Sequence, residues 1–496
     1  MASSKSKQSF LPPHFLLFPV MAQGHQIPMA ELAKLLSQNG VKITLITTPQ
    51  NATRIQPLLS QSPLIQIIQI PFPAHQQNLL QNSENFDSLP SLHLVPQFLT
   101  ATSFLCSETE HLFPQLSPKP CCIISDMALP WTIQIAHKFN VPRLVFYSLS
   151  AFYLLFMANL RDTDFGEKIM AASDSELISI PNFPDPIQVT KSQLIFTLDP
   201  VFLEWGNQMA KADSASYGFI MNSFDGLEPT YLEELKKAIG SDKVWCIGPV
   251  SLCNKDTKDK ARRGNKAAID EQECMEWLDR QEPESVIYAA LGSICNVTAP
   301  QIIELGLALE ASNKPFIWVI RQTKSTEKEV ENWLAETEFE QRIKDRGLVV
   351  RGWAPQVLIL SHPAVGGFVT HCGWNSTIEG ISSGVPMVTW PLFADQMFNE
   401  KMIVEVLRIG VSVGVEKCLR WGVEEEIGVQ VKKEGIRDAI EKVMSGEGEE
   451  MRRRVRELAA IAKAAMEEGG SSHLNLKLLI EEIMHQADSV QPQKTF

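Results

Sequence analysis

The sequence predicts an α/β protein made of two doubly wound parallel-sheet domains. Three observations carry this. Short continuous apolar runs alternate with amphipathic runs along nearly the whole chain, the pattern of parallel strands covered on both faces by helices. The alternation starts again past the midpoint. Between the two series lies SLCNKDTKDKARRGNKAAID, residues 251–270, polar and poor in large apolar side chains, which reads as an exposed linker.

Taken in order, the first run is HFLLFP, from His14 to Pro19. Pro12, Pro13, Pro19 and His14 interrupt it, so it is a poor signal-peptide core, and it is too short to span a bilayer. It reads as a first buried strand. VKITLITT, CCIISD and PRLVFYS are the next strands of this series, with IPMAELAKLLSQNG and LPWTIQIAHKFN as helices between them. After the linker, SVIYAALGS, FIWVI, GLVVRGW, VGGFVTH and PMVTWP read as strands and APQIIELGLALEAS as a helix. The expected division is therefore residues 1–250, a linker at 251–270, a second domain at 271–470, and a C-terminal piece at 471–496. In that last piece LNLKLLIEEIMHQ is a helix able to pack back on the N-terminal domain, and the residues from Ala487 on read as a disordered tail.

Composition narrows the function classes. A chain of 496 residues is too long for one compact core. Its 45 Lys and Arg stand against 58 Asp and Glu, a formal charge of −13 with no basic block. That argues against binding nucleic acid or an anionic membrane surface. A small anion remains possible, because a helix N-terminus can hold it locally. The nine cysteines are odd in number and form no C-x-x-C pair, so free thiols in a cytoplasmic protein are expected rather than a disulfide framework.

In open parallel sheets ligands bind beyond the carboxyl ends of strands, so chemistry is sought at strand-to-loop junctions. At the first junction, FPVMAQGHQIPMAELAKLL, Gly24 lets the backbone turn and His25 stands just before a helix with Pro28 near its start. An imidazole there suits a general base; the alternative is a polar loop histidine. At CCIISDMALPW, Asp126 ends a strand. It could cap the next helix, or stand behind an imidazole on the neighbouring strand's loop and fix its tautomer.

The third junction lies in WAPQVLILSHPAVGGFVTHCGWNSTIEGISSGVPMVTWPLFADQ, from Trp353 to Gln396. His371, Asn375 and Ser376 crowd the start of a short helix that Gly384 ends, a place suited to a diphosphate. Ser376 and Glu379 also match an S-x-x-E capping box. His362, His371 and Cys372 lack a second ligand pair at zinc spacing. The fourth junction, AALGS, ends at Ser293, and no G-x-G-x-x-G follows the first strand of either domain, which argues against a nicotinamide-dependent dehydrogenase.

The stretch from Trp353 to Gln396 resembles, without a gap, the signature box of the plant UDP-sugar-dependent glycosyltransferases that act on small molecules. GHQIP near the start, MNSFDGLEP, WLDRQEPESVIYAALGS and WGVEEEIGVQVKKEGI extend the resemblance over the chain, the last toward a subgroup that glucosylates flavonoids, triterpenoids, steroids and cytokinins. The resemblance implies a GT-B fold, two Rossmann-like domains facing across a cleft. It also implies inverting transfer of glucose from UDP-glucose to a hydroxyl of a small apolar metabolite. UDP-galactose, another UDP-sugar, or a non-catalytic nucleotide-sugar-binding role are the alternatives. It implies His25 as base with Asp126 as partner. Trp353 would stack on the uracil, with Ala354 reading the base edge. Gln356 and Glu379 would hold the ribose. Ser293, His371, Asn375 and Ser376 would hold the diphosphate, and Trp374, Asp395 and Gln396 the sugar, Gln396 favouring glucose. Gly24 and Ser148 would add contacts from the first domain. No metal and no resident cofactor is expected, UDP-glucose being a co-substrate, and the chain is expected to act as a monomer. The acceptor is sought among Phe86, Leu89, Phe98, Phe183, Phe196 and Trp205. Two features depart from the family pattern: the strand end AALGS in place of an SFGS-type one, with a small Ala290 where a larger residue is common, and the acidic run at 424–426.

Overall fold

The computed structural model describes residues 12–490, apart from positions 60–61, 81–82, 162, 195–197, 295–296, 322–325 and 423. The first sheet draws its strands from β1 (His14–Phe18), β2 (Lys42–Thr47), β3 (Ile65–Gln69), β4 (Cys122–Asp126) and β5 (Arg143–Tyr147). After a small antiparallel pair, β6 (Ile178–Ser179) and β7 (Gln188–Val189), it is completed by β8 (Gly218–Met221) and β9 (Val244–Cys246). The second sheet comprises β10 (Val286–Ala290), β11 (Phe316–Ile320), β12 (Gly347–Arg351), β13 (Val365–Thr370), β14 (Met387–Thr389) and β15 (Gly410–Ser412). The sheet orders are β3-β2-β1-β4-β5-β8-β9 and β12-β11-β10-β13-β14-β15, parallel at every pairing. Two Rossmann-like sheets face one another, the GT-B arrangement.

The order positions the chemistry. Each sheet reverses direction of growth once, between β1 and β4 in the first and between β10 and β13 in the second. Ligands in doubly wound folds bind at such switch points. The register sets Phe18 beside Ser125 and Ala290 beside Thr370. The loop with His25 therefore leaves its sheet next to Asp126, and Ser293 leaves the other next to His371.

The halves are fixed to each other by apolar and polar contacts. Phe156, on the helix Ala151–Leu160, meets Phe398 at a ring separation of 4.0 Å. Ser150 Oγ donates to Asn399 Oδ1 at 3.0 Å. The final helix, Ser471–Val490, lies on the first sheet's core: Leu476, Leu479 and Ile483 are buried there, and Asn475 Nδ2 donates to the Cys246 carbonyl of β9 at 3.0 Å. That helix continues through Val490, so the expected disorder from Ala487 is corrected as far as 490; positions 491–496 lie outside the described residues.

Segment 251–270 is exposed only in part. Asn254 and Arg263 are buried, and short helices at Val250–Cys253 and Thr257–Ala261 interrupt it. Asp259 pairs with Lys34 and Arg263 with Glu31 and Glu379, partners that composition alone hides, while Lys255, Asp256, Lys258, Arg262, Lys266 and Asp270 are exposed. Among the described residues no helix is long and apolar enough to cross a membrane.

Candidate active site

The helix Gln23–Gln38 begins earlier than expected, so His25 sits in its first turn and Pro28 in its second. Rigid backbone therefore holds the imidazole. Its Nδ1 is 2.8 Å from Asp126 Oδ2, and Asp126 Oδ1 accepts from the Ala128 amide at 2.9 Å. Asp126 is buried and caps no helix, because the following helix runs from Thr132 to Phe139 with Trp131 at its cap. With Nδ1 taken, Nε2 is the ring nitrogen left for chemistry. Burial lowers the affinity of His25 for its proton, but the charge and hydrogen bond of Asp126, and the charge of Asp395, outweigh it and raise the pKa above 6.5.

His25 lines a cavity of about 710 Å³ between the two sheets. Every expected donor-site residue also lines it: Gly24, Ser148, Ser293, Trp353, Ala354, Gln356, His371, Trp374, Asn375, Ser376, Glu379, Asp395 and Gln396. Asp126 stands behind His25, outside the wall.

The short helix after β13 spans Trp374–Ser383 and is capped by Gly373 without a side-chain bond. Ser376 is thus inside the helix, and the capping-box alternative for Glu379 does not hold. Gly384, at φ +74°, ends the helix as expected. Glu379 is buried instead against Gln356, whose Nε2 donates to Glu379 Oε2 at 2.7 Å and to Ser376 Oγ at 3.0 Å. His371 packs between two glycines: a Cβ at Gly292 or Gly373 would lie within 2.5 Å of its Nε2. Burial lowers its pKa to about 4, so it is neutral, and its Nδ1 has no partner among the described residues. That orphan is a polar atom a bound anion or its water could satisfy.

Some expected roles change. The Trp374 indole donates to the Asn222 carbonyl at 2.7 Å and is buried, so its side chain ties the halves together and is not a free donor for a sugar. Asn375 Nδ2 donates to the Gly24 carbonyl at 2.5 Å, and its Oδ1 accepts from Asn222 Nδ2 at 3.2 Å. Ser148 Oγ also reaches Asn375 Oδ1, at 3.4 Å. Gly24 is not held by a turn: a Cβ there would meet Asn375 Nδ2 at 3.7 Å, ordinary contact, and what the residue supplies is its carbonyl to Asn375. Gln396 Oε1 accepts from the Leu392 and Phe393 amides at 2.9 and 3.2 Å, which shapes the loop beside Asp395. Asp395 accepts from Asn399 at 2.7 Å, and burial lifts its pKa to about 6.

The apolar end of the cavity was only partly foreseen. Phe86 and Trp205 line it. Phe98 is core, stacked on Phe72 at 4.6 Å, and Phe183 packs edge-on to Phe152 at 4.9 Å. Leu89 packs against the first domain's core away from the wall, and Phe196 lies outside the described residues. Unforeseen wall residues are Met127, Phe202 and Trp421. Trp421 comes from the second half and meets Phe202 and Phe393 at ring separations of 5.6 and 5.1 Å, both edge-on. A lone tryptophan in the polar stretch 416–430 was the signal available for it.

An imidazole held by a carboxylate beside one parallel sheet, across a cleft from a glycine-rich helix N-terminus beside another, is the arrangement of a GT-B glycosyltransferase. The family profile for "UDP-glucoronosyl and UDP-glucosyl transferase" matches residues 263–444. UDP-glycosyltransferase 73C12 of Barbarea vulgaris is 50% identical over 99% of this chain and all of its own. The crystal structure of UGT73P12 of Glycyrrhiza uralensis, complexed with glycyrrhetinic acid 3-O-monoglucuronide, is 36% identical, with a TM-score of 0.87 over 97% of each chain. That of UGT89C1 of Arabidopsis thaliana, complexed with UDP-L-rhamnose, is 28% identical, with a TM-score of 0.73 over 95% of this chain and 99% of its own. The chain belongs to the UDP-glycosyltransferase family, enzymes of glycosyl transfer to small molecules.

Proposed function

We propose that this enzyme transfers glucose from UDP-glucose to a hydroxyl of a small apolar ring-shaped metabolite of the flavonoid, triterpenoid, steroid or cytokinin class, giving a β-O-glucoside. The observation that carries this is His25, oriented by Asp126 and facing the cavity that the signature-box residues line. The complexes of the two solved relatives, with UDP-L-rhamnose and with glycyrrhetinic acid 3-O-monoglucuronide, support a UDP-sugar donor and a bulky ring acceptor.

In the proposed reaction His25 Nε2 takes the acceptor's hydroxyl proton as its oxygen attacks the anomeric carbon. The bond from that carbon to the diphosphate oxygen breaks, and UDP leaves from the opposite face. One displacement inverts an α-linked donor to a β-glucoside. Asp126 stabilises the imidazolium that forms. Charge gathering on the leaving diphosphate meets the N-terminus of Trp374–Ser383 and the neutral His371, preset dipoles needing little reorganisation. The N–H groups of His371 and the helix act as donors here, while Trp353, Gln356 and Glu379 hold the nucleoside. Phe86, Phe202, Trp205 and Trp421 supply flat apolar wall for the acceptor.

The test is a screen of UDP-glucose with flavonoid, triterpenoid, steroid and phenolic acceptors, read by mass spectrometry. A glucosylated product in at least one of these classes supports the reading. Turnover only with another UDP-sugar would overturn the donor assignment, and no product with any donor would overturn the catalytic reading.

A further inference from the structure

Arg263 is the least expected charge in the molecule. It lies in a run of polar residues, yet only 8% of it is exposed. Its Nε bonds Glu31 Oε1 at 2.6 Å, and its Nη2 bonds Glu379 Oε1 at 2.6 Å and Glu31 Oε2 at 3.3 Å. Both carboxylates are buried. Glu31 is on the helix whose first turn holds His25; Glu379 is on the helix behind the nucleotide end of the cavity. One guanidinium thus spans the cleft between the base-bearing helix and the signature box.

The neighbouring backbone does the same. The Arg263 carbonyl accepts from the Trp353 indole at 3.1 Å. Gly264, at φ +85°, lies so close to that indole that a Cβ would be 2.1 Å from Cζ2. Asn265 Oδ1 accepts from Gln23 Nε2 at 2.9 Å. Three consecutive residues bind the first helix on one side and Trp353 and Glu379 on the other.

We propose that Arg263 is a positioning residue of the nucleotide-sugar site, which aims the Glu379 carboxylate at the ribose hydroxyls and, through Glu31, sets that carboxylate relative to the helix carrying His25. The inference rests on the ribose role of Glu379 proposed above. Glu379 would otherwise be a buried carboxylate with burial working against its charge; Arg263 counters this and leaves lone pairs on both oxygens for hydroxyl donors. A lysine could not replace it fully, because only a planar fork reaches two carboxylates at once.

The full-length enzyme is titrated with UDP and with 2′,3′-dideoxy-UDP by calorimetry. Wild type is expected to prefer UDP at least about tenfold, the scale of a hydrogen bond to a charged group. Glu379→Gln should lose most of that preference. Arg263→Met should lose it to a similar degree and raise the KM for the UDP-sugar more than it lowers kcat, and Arg263→Lys should recover part. If Arg263→Met proves insoluble, Glu31→Gln/Arg263→Met, which leaves no unpaired Glu31, gives the same reading. Preference kept in the Arg263 variants but lost in Glu379→Gln overturns the proposal and leaves the ribose role standing. Preference kept in Glu379→Gln overturns both.

Discussion

His25 Nδ1 lies 2.8 Å from Asp126 Oδ2, although 101 residues separate the two along the chain. Adjacent parallel strands bring them together, each residue just at or beyond a carboxyl end. The carboxylate settles which imidazole nitrogen faces the cavity and holds the proton affinity of the ring above its ordinary value. That geometry has a pH signature.

In its proposed role His25 accepts a proton only when neutral, so activity is expected to fall as pH drops through its pKa. Because that pKa is raised, the acid limb of kcat/KM is expected to have its midpoint above 6.5. Asp126→Asn removes the largest raising influence and leaves burial opposed mainly by Asp395, so the midpoint should move down. An unmoved midpoint in Asp126→Asn would assign the limb to another group.

Trp353→Ala should weaken UDP binding by about 1–3 kcal/mol, the range for aromatic–base stacking. Trp353→Phe keeps a ring but loses the bond to the Arg263 carbonyl, and should fall between. Calorimetry showing equal UDP affinity in wild type and Trp353→Ala would make the indole a packing residue only.

Trp421→Ala should act on the acceptor and spare the donor. It removes apolar contact of about 1.5–3 kcal/mol where a ring acceptor would lie, so acceptor KM should rise about tenfold or more. Donor KM should stay within about twofold, since Trp421 packs edge-on against Phe202 and Phe393 in the apolar part of the cavity wall. Equal rises in both constants would contradict a role confined to the acceptor.

Gln396 is expected to favour UDP-glucose over UDP-galactose. Its Oε1 is engaged by the Leu392 and Phe393 amides, which orients the amide nitrogen end. Gln396→Ala frees those two amides and should reduce the preference by about fivefold, the worth of one hydrogen bond. Competition between the two donors measures it; galactose preferred by wild type would contradict the assignment.

Most strands legible in the sequence are buried on both faces, such as β1, β4, β10 and β13, whose apolar runs are continuous; the edge strand β12 is legible from its β-branched run GLVVR. β3 was missed because it reads IQIIQ, an edge strand with polar residues at both ends. β8, β9 and β15 have only three or four residues and carry no period; β14 is as short but is bracketed by Pro386 and Pro391. The candidate site was legible because its residues follow those continuous strands or fill one ungapped box. Glu31, Arg263 and Trp421 were not, since each takes its meaning from a partner far along the chain. Arg263, within KARRGNK, has the composition of solvated linker and becomes a core charge only when two carboxylates close on it. Trp374 lines the cavity as its box position implies, but its indole N–H is committed to the Asn222 carbonyl, a partner 152 residues away that the box cannot show.

The most direct test of His25 as general base is turnover of wild type and His25→Ala across acceptors graded by hydroxyl pKa, with donor affinity measured alongside. Donor binding should be nearly unchanged, because the nucleotide-end contacts lie on the other sheet. Turnover of aliphatic alcohols should fall about 10²–10⁴-fold, and that of acidic phenols much less, since a partly ionised hydroxyl needs less help. The same fold-loss for both acceptor types would contradict the base assignment and leave His25 a structural residue of the pocket wall.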